Sequence, residues 1–215
     1  TKTYANGVMA LNDVSLEIPN GMFGLLGPNG AGKSTLMRTL ATLQEPDSGS
    51  ASLGDIDIIN NKDELRKILG YLPQEFGVYP RVSPLLMLNH LATLKGITNK
   101  GERDDTVDAL LRQTNLFDVR KKSIDTFSGG MKQRFGIAQA LIGNPQLIIV
   151  DEPTAGLDPS ERNRFHNLLA EIGENVVVIL STHIVDDVTD LCAHMALMGK
   201  GESLLTGDPT RGVAG

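Results

Sequence analysis

Polar and apolar side chains alternate over residues 12–18, so that one side of this segment carries only aliphatic residues. A period of two is typical of a half-buried β-strand, and we predict an antiparallel or edge strand here. A short apolar run at residues 22–26 follows a Pro-Asn-Gly turn and precedes a glycine-rich stretch. Residues 34–43 then have the composition of a helix, which predicts the order strand, loop, helix.

Two uninterrupted apolar runs, residues 147–150 and 176–180, flank a segment with helical periodicity. Asp158 can cap that helix, and Pro159 suits its first position. The apolar side chains of one helix face are Phe165, Leu168, Leu169 and Ile172. Short apolar strands that alternate with helices predict βαβ units around a buried parallel sheet.

The pattern becomes polar and helical between about residues 77 and 127, where a leucine-rich segment precedes a charged one. We interpret this region as an inserted helical lobe. The catalytic core would then comprise about residues 1–76 and 128–215, within a single domain that covers residues 1–215. Near the end, apolar residues 195–198 and residues 202–206 are separated by Gly-Lys-Gly, which predicts a closing hairpin.

Composition narrows the possible functions. The 215 residues are 40% hydrophobic and 21% charged, as in globular proteins. The chain has 20 Lys and Arg against 26 Asp and Glu, and the net charge of −6 argues against nucleic acid as the main partner. Cys192 has no second cysteine to pair with, which fits a reduced cytosolic setting and a buried, inert thiol. No apolar run approaches the roughly 20 residues that span a bilayer, so we expect that this chain does not cross a membrane by itself.

Residues 27–34 match the phosphate-loop pattern G-x-x-x-x-G-K-[ST], between a predicted strand and a predicted helix. Glycines let the backbone N–H groups point inward, the helix N-terminus adds positive potential, and Lys33 can reach the outer phosphates of a nucleotide. The alternative is a glycine-rich turn that contains Lys-Ser by coincidence, but the flanking elements favour nucleotide binding. The predicted binding residues are Gly27, Pro28, Asn29, Gly30, Ala31, Gly32, Lys33, Ser34 and Thr35.

A second candidate feature is the pair of carboxylates, Asp151 and Glu152, at the end of an apolar strand. Carboxylates in such a place are costly unless a cation or hydrogen-bond donors accompany them. Asp151 is placed to hold a Mg²⁺ shell, and Glu152 is placed to orient or deprotonate an attacking water. The alternative is a strand that ends in a solvated acidic turn at Pro153; the phosphate loop favours the catalytic interpretation.

Residues 127–134, FSGGMKQR, resemble the signature sequence of the ATPase domain of ATP-binding cassette (ABC) proteins. Gln74 resembles the glutamine of that family's glutamine loop, and His183 resembles its switch histidine. Asp158, in the sequence AGLD, resembles an aspartate that the family carries across its dimer, and Tyr4 resembles the aromatic residue that stacks on adenine. The resemblance covers essentially the whole chain.

The resemblance implies an α/β fold: a P-loop NTPase core with a mainly parallel sheet, an N-terminal antiparallel β subdomain and an inserted α-helical subdomain. It also implies ATP and Mg²⁺ as cofactors. Two domains would pack head to tail, so that the signature of one covers ATP held by the phosphate loop of the other. Ser128 can cap a helix whose first turn is Gly129 and Gly130, which makes a second anion site. The family usually has Leu and Gln where this chain has Phe127 and Met131.

The residues and the resemblance together assign three sets of roles. The predicted catalytic residues are Lys33, Gln74, Glu152 and His183. The predicted magnesium ligands are Ser34, Gln74 and Asp151. The predicted nucleotide contacts beyond the phosphate loop are Tyr4, Ser128, Gly129, Gly130 and Asp158.

Structural alternatives exist for four of these residues. His183 could be a satisfied structural histidine, and Gln74 an ordinary loop residue. Tyr4 could lie in a frayed terminus, and Asp158 could serve as a helix cap alone. We assign no function to His90, His166 or His194.

The leading interpretation is the ATP-hydrolysing subunit of an ABC transporter, a homodimer that drives a separate transmembrane permease through its helical lobe. It would be cytoplasmic and peripheral on the inner face of the membrane. The signature and residues 77–80 look most like multidrug, antibiotic or bacteriocin export ATPases. The alternative is a non-transport ABC ATPase that acts on ribosomes or nucleic acid; the acidic balance and the lack of tandem cassettes or long coiled coils disfavour it. A regulatory module without hydrolysis and a single-site kinase fit the motifs less well.

Overall fold

The computed structural model describes residues 1–74, 77, 81–173 and 176–209. The strands in these ranges are β1 (Lys2–Thr3), β2 (Met9–Leu11), β3 (Met22–Leu26), β4 (Ser52–Leu53), β5 (Ile56–Asp57), β6 (Leu69–Leu72), β7 (Leu147–Asp151), β8 (Val177–Thr182), β9 (His194–Gly199) and β10 (Glu202–Gly207). The α-helices are α1 (Lys33–Leu40), α2 (Lys62–Ile68), α3 (Pro84–Leu94), α4 (Lys100–Gln113), α5 (Gly129–Leu141), α6 (Pro159–Ile172) and α7 (Val185–Leu191). Short 3₁₀ turns lie at Phe117–Val119 and Ile124–Thr126.

A six-stranded sheet, in the order β10-β9-β3-β8-β7-β6, forms the centre of the molecule. All neighbouring strands in it run parallel except β10, which pairs antiparallel with β9 as the predicted closing hairpin. β3, β7 and β8 are buried at every position, which explains the apolar sequences that precede the polar residues at the ends of β7 and β8. Two small antiparallel sheets pair β1 with β2 and β4 with β5.

Helices cover both faces of this sheet because alternate side chains of a strand point in opposite directions. On β7, Ile148 and Val150 belong to one apolar cluster, with α5, α6 and α7. Leu147 and Ile149 belong to the cluster on the opposite face, with α1 and α2. The sheet therefore lies between two apolar layers, which is the arrangement that its sequence pattern predicts.

A third apolar cluster lies among α3, α4 and α5. Leu88, Val107 and Leu111 are fully buried there. Ser83 caps α3 and Asn99 caps α4, each through a side chain that accepts a backbone N–H hydrogen bond. α5 contributes Phe135 to this cluster and Ile137 to the sheet cluster, so one helix joins the helical region to the core.

The predicted strand at residues 12–18 is wrong. β2 ends at Leu11, and Asp13 adopts a left-handed backbone conformation with φ of 49°. Val14, Leu16 and Ile18 still pack against the apolar cluster beside α1, while the residues between them are exposed. The alternation thus marks which side faces the core, but no strand hydrogen bonds accompany it.

The predictions for α6 and Cys192 are confirmed. Asp158 caps α6, and the apolar face of that helix is buried. Cys192 is buried, and this burial, with the charge of Asp187 adding to it, raises the pKa of the thiol to about 12. In the part of the chain that the structure describes, none of the helices has both the length and the apolar character needed to cross a bilayer.

Candidate functional site

The phosphate loop connects the end of β3 to the start of α1 and depends on glycine for its shape. Gly30 and Gly32 have φ values of 80° and 101°, in the left-handed region that favours glycine. A Cβ on Gly32 would collide with the carbonyl oxygen of Ala10, and one on Gly27 would collide with that of Met198. The sequence therefore folds here as a tight loop around the N-terminus of α1.

The N-terminus of α1 is suited to an anion. In the described structure, no side chain caps the helix at Gly32. The first N–H groups of a helix lack partners within it, and the helix dipole adds positive potential at this end. Ser34 is exposed in the first turn, with Thr35 next to it. This end of α1 can therefore hold phosphate.

Lys33 lies within the loop and is almost completely buried. Its Nζ donates to the carbonyl oxygens of Gly27, at 2.6 Å, and Pro28, at 3.2 Å. The same Nζ lies 3.3 Å from Oε1 of Glu152. The structure thus brings the predicted phosphate ligand and the predicted water-activating residue together.

Asp151 is the last residue of β7, where it lies beside Ser181 of β8. Its Oδ1 accepts a hydrogen bond from the Ser181 hydroxyl and lies 3.5 Å from the hydroxyl of Ser34. Two oxygen donors, one a carboxylate, are the kind of ligand that Mg²⁺ takes. The strands and α1 therefore place two of the three predicted magnesium ligands next to each other.

This pair also fits the usual coordination of magnesium. Within the described ranges, His, Cys, Asp and Glu side chains form no group of three or more that could hold a metal ion. Mg²⁺ commonly takes only one or two protein carboxylates and completes its shell with phosphate oxygens and water. Ser34 and Asp151 could hold the ion when a nucleotide supplies the phosphates.

Glu152 follows Asp151 with φ of 49°, an unusual conformation for a residue other than glycine. Its N–H donates to the carbonyl oxygen of Ser181 at 3.0 Å. Its Oε2 lies 2.7 Å from Nδ1 of His183, whose side chain is 48% exposed. Oε1 is buried and has no hydrogen-bond partner among the described residues, although Lys33 lies within ion-pair distance.

This geometry suits a residue that activates water. A buried carboxylate oxygen without a hydrogen bond is costly in the absence of a ligand. Oε1 can accept a hydrogen bond from a water molecule while His183 holds Oε2. The uncommon backbone conformation directs the side chain toward the phosphate loop, and such strain is frequent at functional sites.

Gln74 and Tyr4, two of the predicted residues outside this cluster, have different surroundings. Gln74 is exposed, two residues beyond the end of β6, and the chain directly after it lies outside the described residues. Tyr4 is exposed, but its N–H donates to the carbonyl oxygen of Val8 and its hydroxyl lies 3.1 Å from that of Thr35. Tyr4 is therefore tied to the helix that follows the phosphate loop rather than frayed.

The signature segment opens α5. Ser128 caps the helix by accepting a hydrogen bond from the N–H of Met131, and Gly129 is exposed. A Cβ on Gly130 would collide with the side chain of Glu161. Phe127 is buried in the apolar cluster beside α3 and α4, and Met131 packs against it. Phe127 and Met131, which differ from the usual family residues, therefore pack in the apolar core of the helical region.

Asp158 opens α6. Its Oδ1 accepts hydrogen bonds from the N–H groups of Ser160, at 2.9 Å, and Glu161, at 3.0 Å. The residue is nevertheless exposed. A helix-cap role is thus present in the single chain, and the exposed position leaves room for a second contact.

Sequence reasoning missed Asp187, a residue of α7 whose side chain is fully buried at 0% exposure. Burial alone would raise the pKa of this carboxyl, but hydrogen bonds from Thr154 and Arg162, together with the charge of Arg162, hold the pKa below its ordinary value. His166, to which we assigned no function, contacts the same carboxylate at 2.7 Å. The adjacent pair Asp186 and Asp187 was the available signal, but periodicity alone does not say which of the two is buried.

Comparison with known proteins identifies the family. A family model described as "ABC transporter" matches residues 11–155. The probable multidrug ABC transporter ATP-binding protein YbhF of Escherichia coli is 41% identical over 187 residues, which are 86% of this chain and 32% of YbhF. The linearmycin resistance ATP-binding protein LnrL of Bacillus subtilis is 35% identical, over 92% of this chain and 64% of LnrL. The phosphonates import ATP-binding protein PhnC 2 of a Synechococcus strain is 37% identical, over 98% of this chain and 84% of that protein. The chain thus spans about a third of YbhF but most of PhnC 2.

Solved structures confirm the predicted fold. The dimeric post-hydrolysis state of the ATP-binding cassette MJ0796, bound to ADP and Pi, superimposes with a TM-score of 0.87 at 26% identity. That likeness covers 97% of this chain and 95% of MJ0796. The structure of cbiO1 from Clostridium perfringens, part of the ABC transporter complex cbiONQ, superimposes with a TM-score of 0.86 at 28% identity. That likeness covers 99% of this chain and 87% of cbiO1.

Proposed function

This chain belongs to the ABC transporter family as an ATP-binding, ATP-hydrolysing domain, and from that premise we propose that it powers transport through a separate membrane permease. The observation that carries the hydrolytic part of this proposal is the arrangement at the end of β7. There Asp151 lies beside Ser34, and Glu152 lies between Lys33 and His183.

ATP would bind with its phosphates in the loop of residues 27–34. Lys33, whose Nζ now donates to two carbonyl oxygens of the loop, would exchange these bonds for phosphate oxygens. Ser34, Asp151 and Gln74 would hold Mg²⁺, which neutralises charge on the phosphates when it is bound. Tyr4, close to Thr35, would stack on the adenine.

Hydrolysis would be carried by Glu152. Its Oε1, which accepts no hydrogen bond in the described structure, would accept one from the attacking water and take the proton as the water oxygen bonds to the γ-phosphorus. The bond between that phosphorus and the bridging oxygen breaks, which yields ADP and phosphate. His183 holds Oε2 in place and, being half exposed, would be available to the γ-phosphate.

A second domain would complete each site. Ser128, Gly129 and Gly130 form a helix start whose exposed part suits the phosphates of ATP held by the other domain. Asp158 is exposed at the start of α6 and is available for a contact across the dimer. The relative MJ0796 was solved as a dimer with ADP and phosphate. We therefore propose a head-to-tail dimer, formed by two copies of this chain.

The membrane permease would dock on α3. Leu86 and Leu94 are 63% and 70% exposed, an unfavourable position for leucine in water. Together with Val82, Met87, His90 and Leu91 they line an apolar groove of about 540 Å³. An apolar groove on the helical region is suited to an apolar segment of the permease. The protein would then be cytoplasmic and peripheral on the inner face of the membrane.

We propose export as the direction of transport. The support is the likeness of the signature to export ATPases and the resistance and multidrug names of LnrL and YbhF. PhnC 2, named for import, is comparably similar, so the test must measure direction itself. Of the stretch 77–80, which also suggested export, residues 78–80 lie outside the described residues. An exporter should accumulate labelled substrate inside inverted vesicles. Accumulation in right-side-out vesicles, with none in inverted vesicles, would contradict export.

The decisive experiment for the site is the Glu152→Gln variant of the full-length protein. We expect it to bind ATP with normal affinity and to hydrolyse it about 100-fold more slowly or worse, because a general base contributes at least about that factor. Glu171→Gln, an exposed glutamate of α6, is the matched control. Near-normal hydrolysis by Glu152→Gln would overturn the assignment.

The partner is tested separately. Affinity purification of the full-length protein from its source membranes in mild detergent should recover a stoichiometric membrane protein with many spans. Recovery of ribosomal or nucleic-acid partners instead would leave the ATPase in place and overturn the transport proposal.

A further inference from the structure

Asp187 is the centre of a buried hydrogen-bond network that none of the predicted roles uses. Its Oδ2 accepts hydrogen bonds from the hydroxyls of Thr154, at 2.6 Å, and Thr182, at 3.2 Å. Its Oδ1 accepts one from Nε of Arg162 at 2.7 Å, and Nε2 of His166 lies at the same distance. Four groups on three different segments thus converge on one carboxylate.

Two of these segments carry the catalytic pair. Thr154 follows Glu152 by two residues, in a turn in which the N–H of Ala155 donates to the carbonyl oxygen of Glu152. Thr182 directly precedes His183, and its hydroxyl also accepts a hydrogen bond from the N–H of Ile184 at 3.0 Å. Asp187 therefore holds the backbone on one side of Glu152 and on both sides of His183.

The third segment is α6, which begins next to Asp158. Arg162 and His166 are one turn apart on this helix, and both reach Oδ1 of Asp187. The carboxylate of Asp187 thus also holds α6, the helix that follows Asp158, which is predicted to make a contact across the dimer. An amide in its place would lack the negative charge that faces Arg162, and its N–H groups could not bond to that guanidinium, which only donates.

We propose that Asp187 is a positioning residue that holds Glu152 and His183 in register with each other through Thr154 and Thr182. The 2.7 Å contact between Nδ1 of His183 and Oε2 of Glu152 depends on this alignment. The inference rests on the proposed function, in which Glu152 activates the attacking water. A displacement of about 1 Å at such a group can cost about 100-fold in rate, so loss of one supporting hydrogen bond should be measurable.

The first test removes single hydroxyls from the network. Asp187→Asn removes the negative charge that faces Arg162 and can unfold the chain; Thr154→Val and Thr182→Val are gentler. In the full-length protein we expect each valine variant to lower kcat for ATP about tenfold while KM for ATP changes less than about twofold. Thr154→Ser and Thr182→Ser, which keep the hydroxyl, should restore kcat.

The matched control is Thr114→Val. Thr114 is also fully buried, but its hydroxyl donates to the carbonyl oxygen of Leu110 within α4. This variant loses a comparable buried hydrogen bond and should lower the melting temperature without lowering kcat. A kcat within about twofold of the unmodified protein for both network valine variants would overturn the inference.

A second readout does not require hydrolysis. Long-range ¹H–¹⁵N NMR signals of the His183 ring, recorded without nucleotide at one pH, report its hydrogen bond to Glu152. We expect Thr154→Val to shift these signals, and Thr154→Ser and Thr114→Val to leave them unchanged. Unshifted signals in Thr154→Val would contradict the inference. An unmodified protein without ATPase activity would instead overturn the proposed function, and the ring signals alone would then decide the role of Asp187.

Discussion

At the scale of single residues, the chemistry of this protein depends on charges that are buried close to one another. Lys33 and Glu152 are both nearly inaccessible and lie within 3.3 Å of each other. Each would be costly to bury alone. Together they are stabilised by further contacts. Nζ of Lys33 donates to carbonyl oxygens of the loop, and His183 contacts the carboxylate of Glu152. Bound phosphate would compete with Glu152 for Lys33, which links nucleotide binding to the freedom of the carboxylate.

Cys192 gives a prediction at the same scale. Its thiol is the only one in the chain, and burial raises its pKa to about 12. Because only the thiolate attacks disulfide reagents, we expect labelling of the native protein at pH 8 to be at least about 100-fold slower than in urea. The folded thiol holds its proton up to about pH 12, so its thiolate fraction, and with it the labelling rate of the native protein, should rise about tenfold from pH 8 to pH 9. The rate of the unfolded protein should rise less, because a free thiol with a pKa of about 8.5 is already partly ionised at pH 8. Rapid labelling of the native protein would contradict this burial.

At the scale of elements, the helices that carry binding residues are held by local caps. Ser128 caps α5, which carries the signature, and Asp158 caps α6. Side chains of these two helices also meet, with Nε of Arg134 3.6 Å from Oε2 of Glu161. The residues proposed to face the second domain therefore stand at the starts of two packed helices.

We predict that Asp158→Ala lowers the free energy of unfolding by about 1 kcal/mol, because it removes a side chain that accepts two backbone hydrogen bonds. Asp158→Asn should keep nearly the full stability, since asparagine caps helices as well as aspartate does. Urea titration measures both. Reduced hydrolysis in Asp158→Asn at full stability would point to the contact across the dimer, whereas equal stabilities of the two variants would contradict the cap.

At the scale of the whole molecule, the single chain carries two separate halves of a site. The phosphate loop and Glu152 lie at the ends of strands in the sheet, and the signature lies at the start of α5. A symmetric head-to-tail dimer would unite the first half of one chain with the second half of the other. This arrangement makes a prediction about mixtures of inactive variants.

Lys33→Ala removes the phosphate ligand, and Ser128→Arg blocks the signature, so each full-length variant should be inactive alone. Equal mixing allows mixed dimers, each with one site in which both halves are intact, and should restore about a quarter of the unmodified activity if the sites act independently. A mixture of Lys33→Ala with Glu152→Gln should restore nothing, because both changes lie in the same half. Restoration in the second mixture, or none in the first, would contradict the head-to-tail arrangement. Steady-state ATPase assays measure both.

The features predicted from sequence are those whose physical causes are local. The phosphate loop could be located because glycine adopts the backbone conformation at Gly30 without strain and tolerates the close approach at Gly32. The parallel sheet could be predicted because strands that are buried on both faces, such as β7, carry no polar positions in their interior. α6 could be placed from its cap and its apolar face. The roles assigned to these residues remain predictions that the experiments above test.

The tertiary structure decided what depends on residues far apart in the chain. Residues 12–18 have the period of a strand but form none, because pairing requires a neighbouring backbone that periodicity does not describe. Asp151 contacts the hydroxyls of Ser34 and Ser181 because β7 and β8 end side by side, next to the start of α1. Asp187 rather than Asp186 is buried because α7 packs against the sheet with one face only. Sequence patterns record which conformation a segment prefers and which side it buries; which groups face each other at the site is settled by packing between segments.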